Sequence, residues 1–311
     1  MVGATGIVGE TLLRVLAERE LPIEALGAFA SEARTNGASF AGQPLDVRVP
    51  SERALCEYDV VFFASSDEIS ERYIPALVER GAVVIDNSSA FRMKPGVPLI
   101  VPEVNASSLR PGDRIFPVGN CTAIILCVAL APVQLAAGLK SVRVATYQAV
   151  SGAGRVALEE FDGGQGPIVG NVVPQIGAFN ADGSTGEEQK VCGETRKILG
   201  LPDLQICATT VRVPVRTAHS EAVFFETERD TGVNELAEAF ERAHGVVFHS
   251  QGVVTPRDVE GTDFVHVARL RDEGQRCFQM WVVGDQLRKG AATNGVQILE
   301  SLIAGGLFVP A

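Results

Sequence analysis

Several things are scarce in this 311-residue chain, and each scarcity closes off a class of function. Basic residues are outnumbered, 27 Lys and Arg against 38 Asp and Glu, giving a formal charge of −11. A chain of that sign is repelled by nucleic acid and by anionic membranes, so neither is expected as a partner. A small anionic substrate is still allowed, because it needs only a local group of cations. There are four histidines and six cysteines, with no Cys-x-x-Cys pair and no Cys/His grouping at zinc-ligand spacing, so no metal is expected. The six thiols (Cys56, Cys121, Cys127, Cys192, Cys207 and Cys277) are scattered, which fits a reducing, cytoplasmic setting better than a disulfide scaffold. No basic-then-apolar leader opens the sequence, and none is expected. The longest apolar stretch, residues 122–139, contains Pro132 and Gln134 and reads as a buried helix rather than a membrane span. No repeat, low-complexity tract or long linker is present.

What remains is a chain with 46% hydrophobic and 21% charged residues, ample for a core and long enough for two domains. In the first 120 residues, helical spacing at 7–19 and 67–80 alternates with short apolar runs at 25–30, 59–64 and 82–86. Uninterrupted apolar strands separated by helices indicate a parallel sheet covered on both faces. After residue 121 the pattern changes to longer alternating strands at 141–150, 205–215, 221–228, 263–270 and 277–283, mixed with helices near 187–199 and 233–243. The fold class is therefore α/β: an N-terminal Rossmann-like, doubly wound parallel sheet and a C-terminal α+β domain. The expected division is 1–120 plus about 287–311, where a last helix ends near 303, against about 121–286.

Gly3-Ala4-Thr5-Gly6-Ile7-Val8-Gly9 opens the first helix. Glycines three apart permit a tight turn and close approach to a pyrophosphate, which the N–H groups of the helix start would bind. The same spacing also serves a purely structural turn. A strand should precede such a loop, yet only Met1-Val2 do, and the expectation is that Met1 is an internal methionine of a strand beginning upstream. The segment 31–37 is read as a loop following the second strand. There Arg34, with Ser31 and Thr35, suits the 2′-phosphate of NADP, while Glu32 argues for NAD. Arg92, after the strand ending at Asp86, lies where open α/β sheets bind anions.

Asn120-Cys121-Thr122 precedes the apolar run 123–130. Asn is a strong helix N-cap, which places Cys121 in the first turn, where helix N–H groups favour a thiolate and could bind an oxyanion. On these residues alone Cys121 is equally well a small core residue opening a buried helix. Gln148 ends a strand ahead of Ser151-Gly152. Arg212 could clamp a carboxylate and His219 could act as acid/base. Their separation of seven would put them on opposite faces of one regular strand, so the chain must bend near Pro214 or at 217–218. Glu187 and Lys190, three apart, share a helix face. His244, His249 and His266 read as structural or surface residues.

Taken together, these stretches resemble the aspartate-β-semialdehyde dehydrogenase family almost end to end. The resemblance is carried by G-A-T-G-I-V-G at 3–9, D-N-S-S-A-F-R-M at 86–93, V-P-E-V-N at 101–105 and G-N-C-T at 119–122. It continues with Y-Q-A-V-S-G-A-G at 147–154, R-V-P-V at 212–215, H-S-E at 219–221 and D-Q-L-R-K-G-A-A-T-N at 285–294. It implies an NADP- and phosphate-dependent enzyme that reduces aspartyl-4-phosphate to aspartate-4-semialdehyde with release of inorganic phosphate. That step leads to lysine, threonine, methionine and diaminopimelate. By the same resemblance Cys121 forms an acyl-thioester, His219 is the acid/base and Gln148 orients the substrate. Arg212 binds the α-carboxylate and Glu187 faces the α-amino group, while Arg92, Asn120 and Lys190 hold phosphate. Gly3, Thr5, Gly6, Ile7, Val8, Gly9, Ser31, Arg34, Thr35, Ser151, Gly152 and Gln286 would contact NADP. A homodimer built through the second domain is implied, with a tetramer as the alternative. Ala218 departs from the pattern, standing where glycine often precedes the histidine. The competing readings are an N-acetyl-γ-glutamyl-phosphate reductase, a silent paralogue, and a glyceraldehyde-3-phosphate dehydrogenase-like enzyme.

Overall fold

The apolar runs of the sequence become the inner strands of two separate sheets. The fold comes from a computed structural model that describes residues 1–308. Contacts divide the chain into two units. One is Met1–Gly119 with the chain from Ala291 onward, and the other is Asn120–Gly290.

In the first unit α1 (Ile7–Glu18) follows the glycine loop, then β1 (Ala28–Phe29), β2 (Arg34–Phe40), β3 (Gln43–Arg48) and α2 (Glu52–Leu55). Next come β4 (Val60–Phe63), α3 (Asp67–Glu79), β5 (Val83–Asp86), α4 (Pro102–Asn105) and β6 (Ile115–Pro117). Strands β4, β5 and β6 pair in parallel, as β1 does with β3, while β2 returns antiparallel on β3. Val2 bridges both Phe29 and Phe63 in parallel, so the two residues ahead of the glycine loop occupy the strand position between β1 and β4. The Met1 amino group is buried and donates to the Gly27 carbonyl at 2.8 Å. Burial, and next the charge of Arg48, lower its pKa to about 5. Val2, Phe29, Val61, Phe63, Ile74, Leu77 and Val84 form the core.

Two expectations fail here. The run at 25–30 pairs over only Ala28–Phe29, and residues 34–37 are strand, not loop. The hairpin of β2 and β3 escapes a reading of apolar pattern because its side chains are mostly exposed on both faces.

The second unit begins with α5 (Cys121–Ala137), then β7 (Leu139–Gln148), α6 (Arg155–Asp162), α7 (Gly186–Leu199), β8 (Gln205–Arg212) and β9 (His219–Thr227). It continues through α8 (Val233–Arg242), β10 (Val246–His249), α9 (Pro256–Val259), β11 (Val265–Gly274) and β12 (Cys277–Gly284). The six strands form one mixed sheet in the order β10-β11-β12-β9-β7-β8. Residues 123–130, on all sides of α5, are buried against α7, α8 and the inner face of this sheet. A helix apolar on every side is a core helix, and each large side chain so buried contributes about 1.5–3 kcal/mol. Among the described residues no helix is long and apolar enough to cross a membrane. Strand β7 ends at Gln148, two residues earlier than expected, and a 3₁₀ turn follows at Val150–Ala153. The single helix expected from 287 is a π-helical turn, Arg288–Ala292, leading into α10 (Thr293–Ala304). In the first unit α10 packs on α1, α4 and β5.

Candidate active site

Asn120 caps α5 as its residue type requires. Its Oδ1 accepts from the N–H groups of Thr122 and Ala123 at 3.1 and 3.2 Å. It is held in turn from α7. Asn120 Nδ2 donates to Glu187 Oε1 at 2.9 Å, and its backbone N–H donates to the buried Glu194 carboxylate at 2.5 Å. Cys121 is thereby fixed at the first position of a rigid helix. The Thr122 and Ala123 N–H groups, two of the helix-start donors expected to be available at Cys121, serve the Asn120 cap.

His219 faces the thiol. Its Nε2 lies 3.4 Å from Cys121 Sγ, and its Nδ1 accepts the Ala149 N–H at 3.1 Å. A nitrogen accepting from an amide carries no proton, so the neutral ring keeps its hydrogen on Nε2, facing the sulfur. His219 is fully buried; that burial, and next the charge of Arg212, push its pKa well below the usual histidine value. The imidazole is thus a neutral hydrogen-bond donor at the thiol.

Sheet register explains how Arg212 reaches the same place. Arg212 pairs with Gln148 across β8 and β7, and Tyr147 pairs with Ser220 across β7 and β9. Arg212, Gln148 and His219 therefore lie at one end of three adjacent strands. The seven-residue spacing creates no conflict, because β8 ends at Arg212 and β9 begins at His219. Arg212 Nη1 donates to the Ala149 carbonyl at 2.6 Å. Burial lowers the guanidinium pKa, while Cys121 and then Glu187 favour its charge. Gln148 is buried, and its Nε2 lies 3.3 Å from Glu187 Oε1. A Cβ built on Gly152 would sit 3.0 Å from Arg212 Nη1 and 3.3 Å from His219 Nε2. Gly290 is packed on Cys121 itself, with a built Cβ 2.9 Å from Cys121 Cβ.

Cys121, His219, Gln148, Arg212, Asn120, Glu187 and Gly152 thus converge in the second unit. Lys190 is exposed, one turn beyond Glu187. Ser151 and Gln286 are buried and bonded to each other. Arg92 lies in the first unit beyond β5, where its Nη2 donates to the Asn87 carbonyl. In the same unit Ser31, Arg34 and Thr35 are exposed, and Arg34 pairs with Glu32 at 3.3 Å. At the glycine loop Gly3 has φ +82°, and a Cβ there or on Gly9 would collide with backbone, so the turn requires these glycines. Gly6 is the N-cap of α1 and offers no side-chain cap, which leaves the helix start open to an anion. Sequence reasoning missed Glu194. Its signal was a seven-residue offset from Glu187, which puts both carboxylates on one face of α7.

Comparisons with known proteins identify the family. Residues 1–111 match the family model described as semialdehyde dehydrogenase, NAD binding domain. Residues 130–289 match semialdehyde dehydrogenase, dimerisation domain. The chain belongs to the semialdehyde dehydrogenase family. Among its relatives, the aspartate-semialdehyde dehydrogenase of Bacillus subtilis is 39% identical, with 97% of this chain and 96% of that one covered. The enzyme of the same name from Aquifex aeolicus is 40% identical, covering 99% and 98%. Among solved structures, aspartate semialdehyde dehydrogenase II of Vibrio cholerae, complexed with ASA, superposes with a TM-score of 0.92 at 36% identity, covering 97% of each chain. The α/β class, with a parallel-sheet nucleotide-binding domain followed by a dimerisation domain, is that of this family.

Proposed function

We propose that this protein is an NADP- and phosphate-dependent aspartate-semialdehyde dehydrogenase acting through a Cys121 thioester. The contact of Cys121 Sγ with His219 Nε2, beside Arg212, carries the reading. The near-full-length relatives named for this activity give the substrate class.

In the reductive direction the Cys121 thiolate attacks the carbonyl carbon of the acyl phosphate. A C–S bond forms, the acyl carbon–oxygen bond of the C–O–P linkage breaks, and phosphate leaves with that electron pair, taking a proton from solvent to depart as hydrogen phosphate. The reduced nicotinamide, when bound, supplies the hydride that takes the thioester to the aldehyde level. His219, the acid/base that the family resemblance implies, acts in this reading through its Nε2–H, from which the oxyanion of each tetrahedral species accepts a hydrogen bond. Collapse of the thiohemiacetal returns the thiolate. Arg212 meets the α-carboxylate as a two-pronged donor, and Glu187 meets the α-amino group. An N-acetylated substrate would have no use for Glu187, which disfavours the longer acylated analogue. Gln148 orients the substrate, and Arg92, Asn120 and Lys190 serve phosphate. Loop 3–9 and the start of α1 suit a pyrophosphate, and Arg34 with Ser31 and Thr35 suits a 2′-phosphate once Arg34 leaves Glu32. Ser151 and Gly152 would meet the nicotinamide end. The biosynthetic setting is that of lysine, threonine, methionine and diaminopimelate, in the cytoplasm, with a homodimer as the assembly.

The test is steady-state oxidation of aspartate semialdehyde with NADP and phosphate, with N-acetylglutamate semialdehyde as competitor. Activity with the former is expected, and Cys121→Ala should lower kcat by at least about 10⁴-fold. A folded preparation with no aspartate-semialdehyde activity sinks the reading. Full activity in Cys121→Ala sinks the nucleophile alone.

A further inference from the structure

Backbone strain sits immediately ahead of His219. Ala218 has φ +68°, a left-handed conformation that is unfavourable for a residue with a Cβ. Its N–H donates to Gln286 Oε1 at 2.8 Å. The other end of that amide, Gln286 Nε2, donates to Ser151 Oγ at 2.5 Å. All three residues are buried. One side chain thus joins the residue before His219 to the 3₁₀ turn after β7. That turn is tied to the same loop by the Val150 and Ser151 N–H groups, which donate to the Val215 and Arg216 carbonyls. It also adjoins Ala149, whose N–H meets His219 Nδ1. The imidazole is placed by its own backbone on one side and by Ala149 on the other, and Gln286 spans the two.

We propose that Gln286 is a positioning residue for His219, clamping Ala218 to Ser151 so that the ring stays between the Ala149 N–H and the Cys121 thiol. This rests on the Cys121–His219 chemistry proposed above. It differs from the role the family resemblance implies for Gln286, a contact with NADP. Each end of the amide keeps one further hydrogen-bonding position, so the two roles are separable by experiment.

The experiment is the pH profile of Cys121 alkylation by iodoacetamide in the free protein, without cofactor or semialdehyde. In Gln286→Met, which keeps the length and loses both bonds, the Cys121 midpoint should rise by about one pH unit, the worth of one hydrogen bond to a charged group. Peptide mapping assigns the labelled thiol. Ser151→Ala, which cuts one arm only, should shift the midpoint in the same direction by less, and it carries the test if Gln286→Met does not fold. Unchanged midpoints overturn the proposal, as does a pattern in which the only change is a higher KM for NADP. A shifted midpoint in a protein without semialdehyde activity would keep the clamp and defeat the functional reading instead.

Discussion

At Gly152 the absence of one methyl group leaves room for two side chains to meet. A Cβ there would press on Arg212 Nη1 at 3.0 Å and on His219 Cε1 and Nε2 at 3.2 and 3.3 Å. Those distances are tighter than ordinary van der Waals contact, so both side chains would have to give way. The backbone of Gly152 lies outside the left-handed region, so alanine meets no dihedral penalty. Gly152→Ala is therefore expected to leave the melting temperature nearly unchanged and to lower kcat/KM by roughly 10–10²-fold, the effect of displacing aligned groups by a fraction of an ångström. Steady-state rates alongside a thermal melt decide it, and an unchanged rate would mean that catalysis does not use the Arg212–His219 convergence. Spacing alone demanded only a bend near Pro214 or at 217–218 for this convergence, and the family resemblance put Arg212 and His219 at one site; for Cys121 the neighbouring residues marked the helix start but left its role open. Asn120 capping is a local event between neighbours, legible from N-C-T before an apolar run. The meeting of Arg212 with His219 depends on β7 lying between β8 and β9, a pairing of distant segments that spacing does not encode.

Elements were legible in proportion to how much apolar surface they bury. Strands β4 and β5 and helix α5, enclosed by protein, read directly as uninterrupted apolar runs. The β2–β3 hairpin buries little and left no alternation to read. Strand β9 shows the opposite case, a polar residue inside an inward-facing row. Its residues 219, 221, 223 and 225 are all buried, and Glu221 is among them with neither carboxylate oxygen hydrogen-bonded. Burial alone pushes the Glu221 pKa well above its ordinary value of 4.5. An acid whose folded pKa is raised binds its proton more tightly in the native state. Its contribution to stability is complete below the unfolded value and falls away as pH rises through the folded one. Glu221→Gln removes that titration while keeping the shape. The variant should therefore gain stability over the parent as pH rises from about 5 to 8, by on the order of 1 kcal/mol for relief of an unpaired buried acid. Urea melts of both proteins across that range measure it, and a gap that stays constant or narrows with pH would show that Glu221 finds partners in solution.

Across the whole molecule, the six-stranded sheet presents two unequal faces. Helices α5, α7 and α8 cover the face that carries His219 and Glu221. The other face carries Ala145, Ala222 and Trp281 in one row, with Arg143, Phe224 and Gln279 in the next. Phe224 is 45% exposed and Tyr147 38%, and the Tyr147 and Trp281 rings lie 5.4 Å apart. An aromatic patch on an open sheet face is costly in water and is the usual mark of an interface. The region that holds it matches a family model described as a dimerisation domain. A second copy of this chain is the occupant that agrees with both. Phe224→Glu places a charge in the middle of that patch and should weaken self-association at least 30-fold, the loss of a central aromatic anchor worth about 2 kcal/mol. Sedimentation of parent and variant over a range of concentrations would show it. Phe224 points away from His219 by strand alternation, so Cys121 alkylation should be the same in both proteins. A variant that remains as tightly associated as the parent would place the interface elsewhere. One that dissociates and also loses Cys121 reactivity would show that the sheet transmits the state of its open face to the active-site face.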